Sequence, residues 1–278
     1  MRLGRIPYIN CYPVYGAIDR NIVSLNAQLV DGVPTALNHA MAAGTLDVSV
    51  ISAVEYARDA ARYLLLPDLA ITCDGPVRSV MLVSRRPAES LDGGRVLVSR
   101  SSLTSVALLE LLFEQVWLAS PAFVPADAEI ADLVRTGAEL HDARLIIGDA
   151  ALLLTSGMSA LAADYPYIYD LGAVWKTWTG LPFVFAVWVA QRTTPVADAL
   201  AVHAQLIQSR DWGLAHLDQL SAQAAVATGV STAVALEYLS GLDYGLRYEH
   251  LAGLTTFFGK LAASGRVPNG SLAFLPAA

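Results

Sequence analysis

Short β-branched runs alternate with helix-forming stretches from the first residues onward. Arg2 to Ile6 reads as a strand, and Pro13 suits the first turn of a helix running to about Asp19. Ala27 to Asp31 is a second strand, followed by a helix from Pro34 to Ala43 that Gly44 ends. Leu46 to Ile51 is a third strand. Ser52, with Glu55 in the following turn, has the pattern of a capping box opening the next helix. This βαβαβα order predicts a mostly parallel sheet with helices on its faces.

A second series follows. Val77 to Ser84 reads as a strand, and the Arg-, Pro- and Gly-rich stretch from Arg85 to Arg95 as a boundary. Then come a strand (Val96 to Ser99), a strongly apolar helix (Thr104 to Trp117) and a strand (Ala143 to Ile147) running into a helix at Gly148-Asp149. Tyr167 to Leu171 is a strand and Gly172 to Trp178 a short helix. Phe183 to Ala190 carries no charge, as a strand buried on both faces would. From Pro195 to about Ala263 the chain reads helical, and the remainder as an irregular tail. Two α/β series joined by crossing strands predict a hinged, two-lobed α/β fold with a central cleft. Lobe 1 is expected over 1–84 and 189–278, lobe 2 over 85–188, with hinges near Ser84 to Arg86 and Phe185 to Ala190. Ligands in such folds sit beyond the carboxyl ends of strands, where helices begin.

Composition narrows the function. Apolar types make up 55% of the 278 residues and charged types 15%, which excludes a disordered chain. A net charge of −7 without a basic block argues against nucleic acid. Mean hydropathy is +0.47, yet the longest uncharged run, Gln219 to Leu236, is broken by Ser, Thr, Gln and Gly, so no membrane span is expected. The first residues lack an apolar leader, which points to the cytoplasm. Cys11 and Cys73 have no metal or CxxC spacing and are expected as buried free thiols, with a disulfide between them left open. The histidines His39, His141, His203, His216 and His250 make no zinc motif, so no metal is expected. Oligomeric state is not readable: the apolar block Ala222 to Leu239 suits either core or the face of a homodimer.

Several positions could carry chemistry. Asn10, after the first strand, is either a turn or capping residue or a neutral ligand to substrate. The hydroxyl-rich run Ser99 to Ser105 precedes an apolar helix. It either caps that helix or forms an anion site, with Ser102, Thr104 and Ser105 as contacts. Gly148-Asp149 repeats the strand–turn–helix arrangement, with Asp149 as N-cap or cleft residue. Arg78 is either a solvated sheet residue or the partner of a ligand carboxylate. No P-loop, GxSxG or dinucleotide fingerprint is present.

Taken together, several strings resemble one family. They are Ile6-Pro7-Tyr8-Ile9-Asn10-Cys11-Tyr12-Pro13, Gly44-Thr45-Leu46-Asp47-Val48-Ser49 with Glu55-Tyr56, Val77-Arg78-Ser79-Val80, Ser102-Leu103-Thr104-Ser105, Ile147-Gly148-Asp149-Ala150, and Thr179-Gly180-Leu181-Pro182-Phe183-Val184-Phe185-Ala186. They are similar to the chorismate dehydratases of the futalosine route to menaquinone. A sister enzyme, dihydroxynaphthoate synthase, opens with a Ser-Pro-Cys-Pro-Asn-type loop that this chain lacks. The resemblance implies a periplasmic binding protein-like (type II) fold used as an enzyme, a carbon–oxygen lyase without cofactor. Its substrate is chorismate and its product 3-[(1-carboxyvinyl)oxy]benzoate. It implies catalytic roles for Asn10 and Ser79, and substrate contacts from Tyr8, Arg78, Ser102, Thr104, Ser105, Gly148 and Asp149. Leu103 stands where the family often has a basic residue, so carboxylate binding here leans on helix N–H groups. The alternatives are a solute-binding protein for a small carboxylate and the ligand-sensing half of a regulator.

Overall fold

The structure, a computed structural model, describes residues 1–126, 141–156 and 164–276. They form two five-stranded sheets. The first contains β1 (Arg2–Arg5), β2 (Gln28–Asp31), β3 (Val48–Ser52) and β4 (Tyr63–Cys73), and β10 (Phe183–Gln191) joins it in the order β2-β1-β3-β10-β4. The second contains β5 (Val80–Ser84), β6 (Arg95–Ser99), β7 (Ala122–Ala126), β8 (Ala143–Ile147) and β9 (Tyr167–Asp170), in the order β7-β6-β8-β5-β9.

Each sheet is mostly parallel, as the sequence predicts, with a single reversed strand. β1 runs parallel to β2 and β3, but β10 is antiparallel to β3 and β4. In the second sheet β6 is parallel to β7 and β8, whereas β5 is antiparallel to β8 and β9. The chain leaves the first sheet after β4 and returns to it as β10, so the returning strand runs against its neighbours. These passages fall at 74–79 and 171–182. The divisions expected after Ser84 and Trp188 lie at the end of β5 and inside β10; the expected hinge at Phe185 to Ala190 falls within β10, while that at Ser84 to Arg86 lies at and just beyond the end of β5. All nine residues of β10 are buried, as its charge-free sequence requires.

Strand β4 escaped the sequence reading because Pro67 and Asp68 interrupt it. It lies at a sheet edge, where a missing N–H costs nothing. A helix behind it, α7 (Val196–Ala215), takes up the exposed carbonyls. His203 bonds the Pro67 carbonyl at 2.8 Å, and Arg210 bonds both the carbonyl and the carboxylate of Asp68. The tail is less irregular than expected: Leu65 N donates to Ala273 O and Leu275 N to Leu65 O, both at 2.8 Å, which covers the same edge.

Helices α1 (Tyr12–Asp19), α2 (Pro34–Ala42), α3 (Ala53–Arg58), α4 (Leu103–Leu112), α5 (Gly148–Thr155) and α6 (Leu171–Thr179) follow their strands. Beyond α4 the helix winds on as a π-helical turn, Phe113–Trp117. The C-terminal block adds α8 (Leu217–Thr228), α9 (Thr232–Gly241) and α10 (Tyr248–Ala263). The run Ala222 to Leu239 divides: Ala224, Ala235, Tyr238 and Leu239 are buried, while Val226 is 89% and Leu236 40% exposed. The capping box at Ser52 does not form. Its hydroxyl and N–H are both taken by the buried amide of Asn38, at 3.2 and 3.1 Å, and Glu55 instead accepts from Tyr63 at 3.4 Å.

Candidate active site

A cleft opens between the sheets, lined by residues from both. It collects helix starts. Tyr8 and Asn10 come from the 3₁₀ turn at Ile9–Cys11, Pro34 from the first turn of α2, Ser52 from the start of α3, Ser102 and Ser105 from α4, and Gly148 from α5. Ile6, Ile71, Val77, Val80, Ile147, Phe185 and Ala186 make the walls. Among the described residues, no Asp, Glu, Lys, Arg or His lines it. Any negative charge held here is therefore met by hydroxyls, amides and the positive ends of helices rather than by a cation.

Two polar groups stand out. Asn10 Oδ1 is buried without a hydrogen-bond partner among the described residues. A buried unsatisfied acceptor costs about 1–3 kcal/mol, so its persistence calls for a role. Ser79 is 4% exposed, and its Oγ accepts from the Tyr238 hydroxyl at 2.9 Å. At α4, Ser102 Oγ accepts from Ser105 N at 3.2 Å and donates to Ser105 Oγ at 2.8 Å. That leaves the Ser105 hydroxyl hydrogen and the other first-turn N–H groups, those of Leu103 and Thr104, for a ligand. Cys11, the buried residue after Asn10, has its thiol pushed far up by desolvation and then by Asp149. It stays a neutral packing group, and both cysteines are free.

A family model described as menaquinone biosynthesis matches residues 1–263. The chain belongs to the menaquinone biosynthesis family. A chorismate dehydratase of Thermus thermophilus is 29% identical over 83% of this chain and 85% of its own length. One from Campylobacter jejuni is 32% identical over 67% of this chain and 66% of its own. In fold the chain is like periplasmic binding proteins. The alkanesulfonate-binding protein of Xanthomonas axonopodis pv. citri, bound to MOPS, superposes with a TM-score of 0.69 at 15% identity, over 97% of this chain and 94% of its own.

In this member of the menaquinone biosynthesis family, some residues singled out from sequence lie away from the cleft lining. Thr104 is 1% exposed, and its Oγ1 accepts from Val54 N of α3 at 3.3 Å. Asp149 Oδ1 accepts from Ile9 N at 3.4 Å. Each is a side chain beside the second sheet that caps a helix start beside the first, so these two residues tie the lobes together on either side of the cleft. The Arg78 guanidinium turns outward and pairs with Glu237. The backbone sets that direction: Arg78 has φ +62°, and Asp170 accepts from Val77 N at 3.0 Å and Arg78 N at 2.6 Å. Gly148 lines the cleft with φ +63°, and its N–H is spent on Ser79 O at 2.8 Å. Sequence reasoning passed over Ser52 and Pro34 as cleft residues. Their place at helix starts after strands was the available signal. Tyr238 gave none.

Among the described residues no helix is long and apolar enough to cross a membrane.

Proposed function

We propose that this chain is a cofactor-free hydro-lyase of the cytoplasm that converts chorismate to 3-[(1-carboxyvinyl)oxy]benzoate and water. The observation that carries the reading is the buried Asn10 Oδ1 without a partner, in a cleft with no charged side chain among its described lining residues. Chorismate supplies what fits: a ring hydroxyl to satisfy that acceptor, and two carboxylates for the helix starts. The Ser102–Ser105 turn takes one carboxylate. Ser79 takes the other, because the N–H of the Gly148 turn is already bonded to Ser79.

The elimination breaks the ring C–O bond of the hydroxyl and the C–H bond on the neighbouring ring carbon that carries the ether. No electrons are gained or lost overall, and aromatisation drives the step. With no Asp, Glu or His among the described lining residues, the enolpyruvyl carboxylate of the substrate takes the ring proton. As the C–O bond breaks, the Asn10 amide N–H donates to the departing oxygen, which leaves as water by taking the ring proton back from the enolpyruvyl carboxylic acid. Asn10 orients the hydroxyl, and the closed lobes hold the reacting groups in line.

Incubating the protein with chorismate and following the mixture by NMR tests the reading: a meta-substituted enolpyruvyl benzoate supports it. Binding without conversion would move the protein to the receptor class. Asp149→Asn is expected to keep kcat within about tenfold, since its carboxylate bridges the lobes at Ile9 N. A dead Asp149→Asn enzyme that still binds chorismate would make Asp149 the base. With no histidine among the described lining residues, kcat/KM is expected to be flat between about pH 6 and 9. A limb near pH 6.5 would show a titrating base that this mechanism lacks.

A further inference from the structure

Helix α9 lies in the C-terminal block, far along the chain from the cleft loops, yet two consecutive side chains of α9 grip Arg78 and Ser79, of which Ser79 lines the cleft. Glu237 pairs with Arg78, and the Tyr238 hydroxyl donates to Ser79 Oγ at 2.9 Å. Ser79 is held from other sides as well: Gly148 N donates to its carbonyl at 2.8 Å, and Asp170 holds the N–H groups of the two residues before it. A serine hydroxyl has one hydrogen to donate. With Tyr238 donating into Ser79 Oγ, that hydrogen is left, among the described residues, with Val77 O at 3.4 Å as its acceptor, a distance at the outer limit of a hydrogen bond. A ligand oxygen in the cleft at normal distance outcompetes it.

We propose that Tyr238 is a positioning residue: by donating into one lone pair of Ser79 Oγ it aims the Ser79 hydrogen into the cleft, so that this side of the cleft favours a group that only accepts hydrogen bonds, a carboxylate, over an isosteric group that also donates. The inference rests on the reading of Ser79 as a substrate contact given under Proposed function. Tyr238 is suited to the task. It is 2% exposed, and burial pushes its hydroxyl far above the ordinary range, so it remains a protonated donor at every working pH. Without it, Ser79 Oγ could rotate and accept from a ligand N–H or O–H, and discrimination would fall.

Benzoate and benzamide are the probes, because they differ in whether the group can donate. Their dissociation constants would be measured by NMR titration for wild type, Tyr238→Phe, Ser79→Ala and the double variant, alongside chorismate kinetics. Tyr238→Phe is expected to weaken benzoate about tenfold and to leave benzamide within about twofold. Chorismate KM should rise about tenfold with kcat nearly unchanged, since the carboxylate contact is made equally in ground and transition states. In the Ser79→Ala background the second change should add nothing. The same loss with and without Ser79, or equal weakening of both probes, would show that Tyr238 acts by packing and overturn the proposal. If Tyr238→Phe does not fold, 3-fluorotyrosine in place of Tyr238 keeps the shape and strengthens the donor. An unchanged benzoate-to-benzamide ratio would then overturn it. A wild type that binds benzoate but leaves chorismate intact refutes the dehydratase reading alone, and the coupling is still decided. A wild type that binds no carboxylate refutes both.

Discussion

Replacing Asn10 by Asp is expected to lower kcat/KM for chorismate by about 10²–10³-fold, the size of loss seen when one well-placed donor to a reacting oxygen is removed. Two effects act together. The amide donor to the departing hydroxyl is lost, and a carboxylate now faces a dianion in a cleft with no Lys, Arg or His among its described lining residues. Asn10→Ala separates function from folding. It should be comparably inactive yet melt about 2–4 °C higher, because it removes the buried Oδ1 that lacks a partner and so relieves about 1 kcal/mol. Steady-state kinetics and thermal melts of both variants check this. An Asn10→Asp enzyme that binds chorismate and turns it over at the wild-type rate would end the role assigned to Asn10.

The largest effect on stability is expected from Gly213→Ala. This glycine sits where α7 crosses α1, and an added Cβ would lie 2.2 Å from Pro13 O and 2.6 Å from Pro13 Cα. Both are backbone atoms, so no side chain can swing aside and the helices must separate. Overpacking of this kind costs about 3 kcal/mol, which lowers the melting temperature by roughly 6–12 °C. Pro13 follows closely on Asn10, so activity should fall with stability. Gly259→Ala is the control: Gly259 is an exposed residue of α10 with open space around its would-be Cβ, and this change should be neutral or slightly stabilising. A Gly213→Ala protein that melts with wild type would show that the helix crossing is looser than the backbone distances require.

Local grammar made much of the molecule legible before any coordinates. β1, α1 and α2 were readable because a strand's β-branched run, a proline at a first helical turn and a glycine at a helix end act over a few residues. The same grammar located Asn10, Ser102, Ser105 and Gly148, since each lies where a strand gives way to a helix start, and such junctions gather at one edge of α/β sheets. The quoted strings went further and pointed to the family.

What the neighbouring sequence could not decide was which distant group each side chain meets. Thr104 and Asp149 sit in the same local pattern as Ser102 and Gly148, yet they cap backbone N–H groups of Val54 and Ile9 across the cleft. Arg78 faces Glu237 because a left-handed backbone held by Asp170 turns it away. Strand β4 tolerates Pro67 only because its edge position and the helix behind it satisfy the groups the proline disturbs. The partner that orients Ser79 lies in α9. Hydrogen-bond periodicity and capping are short-range, so the sequence determined the elements and the edge at which the site forms. The reversal of β5 and β10, hydroxyl orientation and the ties between lobes depend on contacts between residues far apart in the chain, and only the tertiary structure decided them.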